Sequence, residues 1–127
     1  MREIMLGVAS PAGTARRAAL KGYSVAGKTG TAQKSAGRAG YIPGLYRATF
    51  CGMVPASAPE LVILVTLDFD ERTKFHQGGN SSGPVFKRLA TAALRYLRIP
   101  PDRPDELDGF DDEDDFEKIL RQRPSNL

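Results

Sequence analysis

The alternation of apolar and polar residues predicts three strands in the middle of the chain. Tyr23–Gln33 alternates small or apolar residues with polar ones, and Arg47–Val54 is a second, more apolar stretch. Leu61–Phe69 is almost entirely apolar and rich in β-branched residues, which predicts a third strand that is covered on both faces. Between them, Lys34–Tyr46 has the composition of a Gly-rich polar connection, and Pro55–Pro59 that of a turn stiffened at both ends.

Helical spacing is found on either side of the strand region. Apolar residues recur three and four positions apart at Val85, Phe86, Leu89, Ala90, Ala93, Leu94 and Leu97. This spacing predicts a long helix that is capped by Ser81 or Ser82, with Pro84 in its first turn, after a polar loop over Asp70–Gly79. Ile4–Val8 has the pattern of the last turns of another helix. Antiparallel strands followed by a C-terminal helix predict an α+β fold.

The composition is that of one domain or of part of one. The chain has 127 residues, of which 41% are hydrophobic, and no apolar run is long enough to cross a membrane. We therefore expect no membrane contact by this segment itself. Cys51 is the single cysteine, so an internal disulfide is excluded, and its apolar surroundings predict an inert buried thiol. One Cys and one His cannot build a metal site. We expect His76 to be a loop residue and the protein to use no cofactor.

Charge is divided unevenly along the chain. Residues 1–100 contain 14 Lys/Arg and 5 Asp/Glu, whereas residues 101–127 contain 4 and 10. The basic residues are scattered and are not interleaved with aromatic ones, which argues against nucleic-acid binding. Asp102–Asp115 has the composition of a solvated, disordered tail. Glu113–Gln122 is compatible with a short helix, which either docks to a partner or has none.

The stretch Lys28-Thr29-Gly30-Thr31 carries the candidate chemistry. In a strand, Lys28 and Gly30 lie on one face and the two threonines on the other, so a ligand that touches both must lie along the strand edge. The exposed amides of an edge strand pair with an extended peptide, and the amide near Thr31 would donate to a developing oxyanion. These groups suit a carboxylate next to a reacting carbonyl. The alternative is an exposed lysine in a threonine-rich strand that has no chemical role.

A second interpretation concerns nucleotides, because Gly22–Thr29 matches the P-loop pattern G-x-x-x-x-G-K-S/T. That phosphate site needs a buried strand before the loop and a helix that begins at its Lys-Thr pair. Arg16–Lys21 does not have the sequence of a buried strand. Gly30–Gly40 contains three glycines, which disfavour a helix. A P-loop NTPase is therefore the weaker alternative.

The ordered set of motifs resembles the class B penicillin-binding proteins, which are the peptidoglycan D,D-transpeptidases of septation and elongation. Val25–Lys34 resembles the third active-site motif of that family. Phe50–Ala56 and Leu61–Asp68 resemble its next two strands. Gly78-Gly79 and Gly83–Phe86 resemble the stretch that opens its last helix. The resemblance implies part of a transpeptidase domain with the penicillin-binding/β-lactamase-like fold.

The chain also departs from the family pattern. The family uses a nucleophilic serine in a Ser-x-x-Lys motif and a second motif, Ser-x-Asn. No serine of this chain has Lys three positions later or Asn two positions later. We therefore expect residues 1–101 to be the C-terminal part of a transpeptidase domain, with Met1 internal to a longer protein, and residues 102–127 to be an acidic tail. The chain alone is predicted to be inactive, and its partner to be the N-terminal part of the domain.

The resemblance also implies a role for each residue of the motif. Lys28 and Thr31 would be catalytic, since Lys28 supplies charge and orients the serine of the second motif, and the Thr31 amide completes an oxyanion hole. Thr29 and Thr31 would hydrogen-bond the carboxylate of a peptidoglycan stem peptide or of a β-lactam. Gly30 would leave room for the acyl chain. The resemblance places such a protein in the bacterial cell envelope, anchored at the outer face of the cytoplasmic membrane. A non-enzymatic binding module that uses the strand edge and the acidic tail is the remaining alternative.

Overall fold

The computed structural model describes residues 2–70 and 77–107. Its helices and strands are, in chain order, α1 (Arg2–Leu6), β1 (Ala26–Ser35), β2 (Tyr41–Val54), β3 (Leu61–Asp70) and α2 (Gly78–Tyr96). Short 3₁₀ helices lie at Gly7–Ala9, Arg16–Ala18, Gly37–Ala39 and Pro104–Leu107. The predicted α+β arrangement of antiparallel strands followed by a long helix is confirmed. No helix of the described residues is long and apolar enough to span a membrane.

The three strands form one antiparallel sheet in the order β1-β2-β3. The register aligns Lys28 with Cys51 and Leu64. The next row consists of Thr29, Phe50 and Val65. Directly opposed residues share a face and successive residues alternate between faces. We call the face with Lys28 the open face and the face with Phe50 the helix face, because α2 packs on the latter.

The core lies between α2 and the helix face. Phe86, Ala90 and Leu94 are at most 1% exposed, and their spacing of four residues places them on one side of α2. Phe86 packs edge-on against Phe50, with ring centroids 4.9 Å apart and an interplanar angle of 76°. Leu89, another residue of the predicted apolar stripe, is 50% exposed. The buried stripe is therefore narrower than the sequence predicted, because the sheet covers one side of the helix.

Helix α2 begins earlier than predicted, at Gly78, with Gln77 as its N-cap residue. The Ser81 hydroxyl donates to the Gln77 carbonyl at 2.8 Å, and the Ser82 hydroxyl donates to a β2 carbonyl at 3.0 Å. Neither serine is the cap, and Pro84 lies inside the helix and not in its first turn. Glycines disfavour helix, so the two glycines at positions 78 and 79 concealed the true start from a sequence-based prediction.

The hairpin of β1 and β2 is also longer than predicted. The connection expected over Lys34–Tyr46 is mostly strand, since β1 continues to Ser35 and β2 begins at Tyr41. Gly37 and Gly40 have φ angles of 67° and 87°, which glycine adopts at little cost. Gly37 and Gly40 therefore mark a short turn and not a long loop.

The expectation that β3 is covered on both faces is wrong for the described residues. Val62 and Leu64, on the open face, are 70% and 64% exposed, whereas Val65 on the helix face is 6% exposed. Cys51, in the same row as Leu64, is half-buried and not fully buried as expected. The apolar run predicted two covered faces, but α2 covers only one of them.

The segment after α2 differs from the solvated tail that was expected to begin at Asp102. The Asp102 carboxylate accepts a hydrogen bond of 2.7 Å from the Ser24 amide, and the chain continues into the 3₁₀ helix Pro104–Leu107. This part of the predicted tail therefore contacts the start of the sheet. The helix predicted at Glu113–Gln122 and the loop residue His76 lie outside the described residues.

We expect the isolated chain to self-associate through its open face, because adjacent exposed apolar side chains favour association. Replacing Val62 and Leu64 together with Ser should lower the weight-average mass measured by sedimentation velocity. Leu89→Ser is the control, since it removes an exposed apolar side chain from α2 and should have less effect. A monomeric wild-type chain over a wide concentration range would contradict this expectation.

Candidate active site

Strand β1 lies at one edge of the described sheet and pairs only with β2. Lys28, Gly30 and Thr31 are exposed and Thr29 is half-buried. The outer side of an edge strand presents backbone groups with which an extended ligand can pair. The structure thus places the four predicted site residues side by side on one accessible strand.

The same strand rules out the P-loop alternative. Lys28 and Thr29 lie inside β1, whereas a phosphate-binding loop requires a helix to begin at these two residues. Upstream, Arg16–Ala18 is a 3₁₀ helix and not a buried strand. The match of Gly22–Thr29 to the pattern is therefore coincidental.

Lys28 presents its ammonium group on the open face. Its Nζ donates to the Thr29 carbonyl oxygen at 2.7 Å, which occupies one of its three donors. Within the described ranges, no carboxylate forms a salt bridge with Lys28. The Lys28 charge is therefore available to an anionic ligand at the strand.

Lys34, on the same face, is in a different electrostatic environment. Its Nζ lies 2.8 Å from Asp68 Oδ2, and Arg47 Nε lies 2.8 Å from the other oxygen of that carboxylate. The hydrogen bonds from Arg47 and Lys34 hold the pKa of Asp68 well below its usual range. The charge of Lys34, near the end of β1, is thus compensated by the carboxylate of Asp68 on β3. The charge of Lys28 has no such compensation among the described residues.

The two threonine hydroxyls lie on the helix face of β1. Thr31 Oγ1 accepts a hydrogen bond of 3.4 Å from the Gly78 amide, at the first residue of α2. A hydroxyl that accepts in this way still has its own proton to donate to a ligand. Thr29 Oγ1 lies 3.4 Å from Thr14 Oγ1. A ligand that contacts both Lys28 and the threonines must therefore lie along the outer edge of the strand, as the alternation of side chains predicted.

The backbone of the first turn of α2 lies very close to the backbone of β1, the strand that carries the candidate site residues. A Cβ on Gly78 would lie 2.3 Å from the Thr49 carbonyl oxygen and 2.8 Å from that of Gly30. A Cβ on Gly79 would lie 1.8 Å from the Thr14 carbonyl oxygen. Only glycine permits this approach, which brings the positive end of the helix dipole next to Thr31. The arrangement favours an anion at the strand edge.

Sequence reasoning missed Thr14. This residue lies between two 3₁₀ helices and belongs to no recognisable motif. It meets Thr29 through its hydroxyl and Gly79 through its carbonyl, across long sequence separations. No local signal in the sequence indicates either contact.

Gly30 has free space where a side chain would begin. A Cβ there would meet only Thr49 Cβ, at 3.7 Å, which is an ordinary contact. At Gly27, in contrast, a Cβ would lie 2.5 Å from Phe50 Cζ and 2.8 Å from the Cys51 carbonyl oxygen. Packing within the described residues therefore requires Gly27 but does not require Gly30.

Comparison with known proteins identifies the family. Residues 1–91 match the family model described as the penicillin binding protein transpeptidase domain. The chain belongs to this transpeptidase family. The resemblance of its motifs to the class B penicillin-binding proteins is thereby confirmed.

Curated relatives and solved structures agree with this assignment. The chain is 49% identical over 86 residues to the probable peptidoglycan D,D-transpeptidase PbpC of Pseudomonas aeruginosa, which is 68% of this chain and 15% of PbpC. It is 39% identical over 99 residues to the peptidoglycan D,D-transpeptidase FtsI of Escherichia coli, covering 78% of this chain and 16% of FtsI. The apo transpeptidase domain of Burkholderia pseudomallei penicillin-binding protein 3 matches with a TM-score of 0.65 and 43% identity, over 80% of this chain and 30% of that one.

A further structural neighbour carries a ligand. Penicillin-binding protein 3 of Mycobacterium tuberculosis, complexed with ampicillin, matches with a TM-score of 0.65 and 32% identity, over 79% of this chain and 24% of that one. The chain thus spans less than a third of the length of each of these relatives.

The two glycines of β1 give a direct stability test of this packing. Gly27→Ala should lower the free energy of unfolding by about 1–3 kcal/mol, because the new methyl group overlaps Phe50 and a backbone oxygen. Gly30→Ala should leave the melting temperature within a few degrees of wild type. Equal losses in the free energy of unfolding for the two variants, measured by differential scanning calorimetry, would show that Gly27 is not more tightly packed than Gly30.

Proposed function

We propose that this chain forms the C-terminal part of a peptidoglycan D,D-transpeptidase that cross-links stem peptides through an acyl-enzyme and that β-lactams acylate. The observation that supports this most directly is the arrangement at the edge of β1. Lys28, whose ammonium has no carboxylate partner among the described residues, and Thr31, whose hydroxyl accepts from the first turn of α2, lie within four residues of one exposed strand, on its two faces. The ammonium, the hydroxyl and the helix turn all favour a bound carboxylate.

In this proposal the stem peptide lies along the outer edge of β1 as an additional strand. Its terminal carboxylate contacts the hydroxyls of Thr29 and Thr31 and is attracted by the Lys28 charge. The amide of Thr31 stabilises the oxyanion that develops on the reacting carbonyl. The free space beside Gly30 accommodates the acyl chain. Binding and charge stabilisation are thus assigned to β1.

The nucleophile is assigned to a preceding segment with the Ser-x-x-Lys and Ser-x-Asn motifs. Its serine oxygen attacks the penultimate carbonyl, the peptide bond to the terminal residue breaks, and that residue leaves as an amine. The amine of a second stem peptide then attacks the ester, forms the cross-link and releases the serine. Because Lys28 lies on the open face, a segment that covers this face has its polar groups next to the Lys28 ammonium. The exposed Val62 and Leu64 supply apolar contact area for such a segment.

β-Lactam binding has independent support from the relatives. The Mycobacterium tuberculosis neighbours include complexes with ampicillin and with aztreonam. Both drugs present an anionic group next to a reactive carbonyl, which matches the groups on β1. The names of the relatives support a role in peptidoglycan synthesis. On the family resemblance, we place the protein in the bacterial cell envelope, at the outer face of the cytoplasmic membrane.

The decisive experiment compares labelling by a fluorescent penicillin with and without the preceding segment. The isolated chain should form no covalent adduct, because acyl transfer needs an activated nucleophile that its sequence does not encode. The longer polypeptide should be labelled, and peptide mapping should place the label on a serine outside residues 1–127. A label on Cys51, or on any Ser or Thr of this chain, would contradict the proposal.

Lys28→Ala in the longer polypeptide should slow acylation by a β-lactam about 10- to 150-fold. This range corresponds to the loss of about 1.5–3 kcal/mol for a hydrogen bond to a charged group. Lys34→Ala is the matched control on the same strand and face. Because Asp68 keeps its Arg47 partner and the pair is exposed, this change should have little effect. Equal acylation rates for the two variants in stopped-flow measurements would refute the role of Lys28.

A further inference from the structure

The end of α2 turns the chain back toward the start of the site strand. Arg98 adopts a φ of 55°, its amide donates to the Arg95 carbonyl at 3.1 Å, and the Ile99 amide donates to the Leu94 carbonyl at 3.0 Å. These bonds form the Schellman arrangement that ends many helices. Pro100 and Pro101 then keep the chain from continuing as helix. The Ile99 carbonyl accepts a 2.7 Å hydrogen bond from the Tyr23 hydroxyl, which fixes the direction of the turn.

Asp102 is the residue through which this segment contacts the sheet. One of its carboxylate oxygens accepts a 2.7 Å bond from the Ser24 amide. The other accepts the hydroxyl of Ser24 and, at 2.7 Å, that of Ser57. Burial raises the pKa of Asp102, but the hydrogen bonds from Ser24 and Ser57 outweigh this effect and lower it. Asp102 is therefore a charged acceptor at neutral pH.

Ser24 forms hydrogen bonds both with Asp102 and with the turn between β2 and β3. It is 5% exposed, and its hydroxyl oxygen accepts the amides of Ala56 at 2.9 Å and Ser57 at 3.2 Å. Its carbonyl also accepts the Ala56 amide, at 2.8 Å. One side chain thus joins the entry of β1, the turn between β2 and β3, and the segment after α2. With two amides donating to it, the hydroxyl must donate its own proton to Asp102.

Gly22 adds a second point of attachment. The Arg103 amide donates to its carbonyl at 3.0 Å, and its own amide donates to Glu106 Oε2 at 3.3 Å. Gly22 has a φ of 78°, and a Cβ there would lie 2.9 Å from the Leu107 side chain. The 3₁₀ helix at Pro104–Leu107 therefore packs directly on the residues that lead into β1.

We propose that Asp102 is a positioning residue for the transpeptidation reaction, which acts through Ser24 to fix the entry of the strand that carries Lys28 and Thr31. This inference rests on the proposed function. Asp102 does not reach the site itself, because Ser24 precedes Lys28 by four residues, about 13 Å along an extended strand.

The sheet topology explains why the contacts between Asp102 and Ser24 matter. β1 pairs with β2 on one side and has an open outer edge within the described sheet. Its pairing with β2 runs from the hairpin back to Ala26, and the chain that enters the strand ahead of Ala26 is held by the hydrogen bonds of Ser24 and its partners. Small displacements of catalytic groups cost large factors in rate. Loss of the Asp102 contacts should therefore slow acylation without abolishing the site.

The test measures acylation by a fluorescent penicillin in the full-length protein, well below the melting temperature. Two quantities are recorded, namely the rate constant at saturating penicillin and the fraction of protein labelled at completion. Asp102→Ala should be labelled completely but about 10-fold more slowly than wild type. Asp102→Asn should be intermediate, since it keeps an acceptor for the Ser24 amide but offers an amide donor to hydroxyls that need an acceptor. Asp105→Ala is the control and should match wild type, because Asp105 is an exposed carboxylate three residues later, in the 3₁₀ helix Pro104–Leu107.

The Ser24→Ala variant supplies a double-mutant cycle. If Asp102 acts through Ser24, the double variant should be no slower than the slower of the single variants. A wild-type rate for Asp102→Ala would overturn the inference, and so would a lower labelled fraction at an unchanged rate, which indicates a purely structural role. If the alanine variant does not fold, Asp102→Asn carries the comparison by itself. Absence of labelling in the wild-type protein would instead refute the proposed function, and this inference with it.

Discussion

The close approach of the first turn of α2 to β1 and β2 is the constraint on which the site depends. Gly78 and Gly79 place backbone against backbone, where any side chain would overlap a carbonyl oxygen of Gly30, Thr49 or Thr14. This approach aims the Gly78 amide at Thr31 Oγ1 and directs the helix dipole toward the strand. It also sets the depth at which Phe86 enters the core and meets Phe50. Packing and chemistry therefore rest on the same pair of glycines.

Around this contact, the site strand is held by groups that come from distant parts of the chain. Thr14 meets the middle of β1, Asp102 and Glu106 meet its entry, and β2 pairs along its inner side. The outer edge of β1 is left for a ligand. Such a division suits an enzyme that must hold its binding groups fixed while an extended substrate enters from solvent. It also explains why Lys28 is exposed yet well defined in direction, since its ammonium donates to the backbone of its own strand.

Much of this could be predicted from the sequence, and the remainder shows what a local pattern does not contain. The three strands and the long helix follow from hydrophobic spacing, and the alternation along β1 correctly separated Lys28 from the threonines. The early start of α2 could not be predicted, because glycines oppose a helix unless a close contact requires them. The same reasoning applied to Lys34–Tyr46 overestimated the loop, since Gly37 and Gly40 form only a turn and Gly44 lies inside β2. The acidic composition of the segment after α2 predicted a solvated tail. Asp102 instead packs against the start of the sheet, because two serines that are distant in sequence donate hydrogen bonds to its carboxylate.

The two faces of the sheet differ in their polar and apolar groups, and this difference relates the fold to the proposed function. On the helix face, α2 buries the apolar residues, and its first amide donates a hydrogen bond to the Thr31 hydroxyl. On the open face, the Lys28 ammonium shares a surface with exposed Val62 and Leu64. Exposed apolar side chains suit a surface on which another segment packs, and a segment that covers Lys28 must supply polar groups to its ammonium. Removing water from that face would strengthen the field of Lys28 at the edge of β1. If the segment that we propose to carry the nucleophile covers this face, assembly of the domain would also complete the active site.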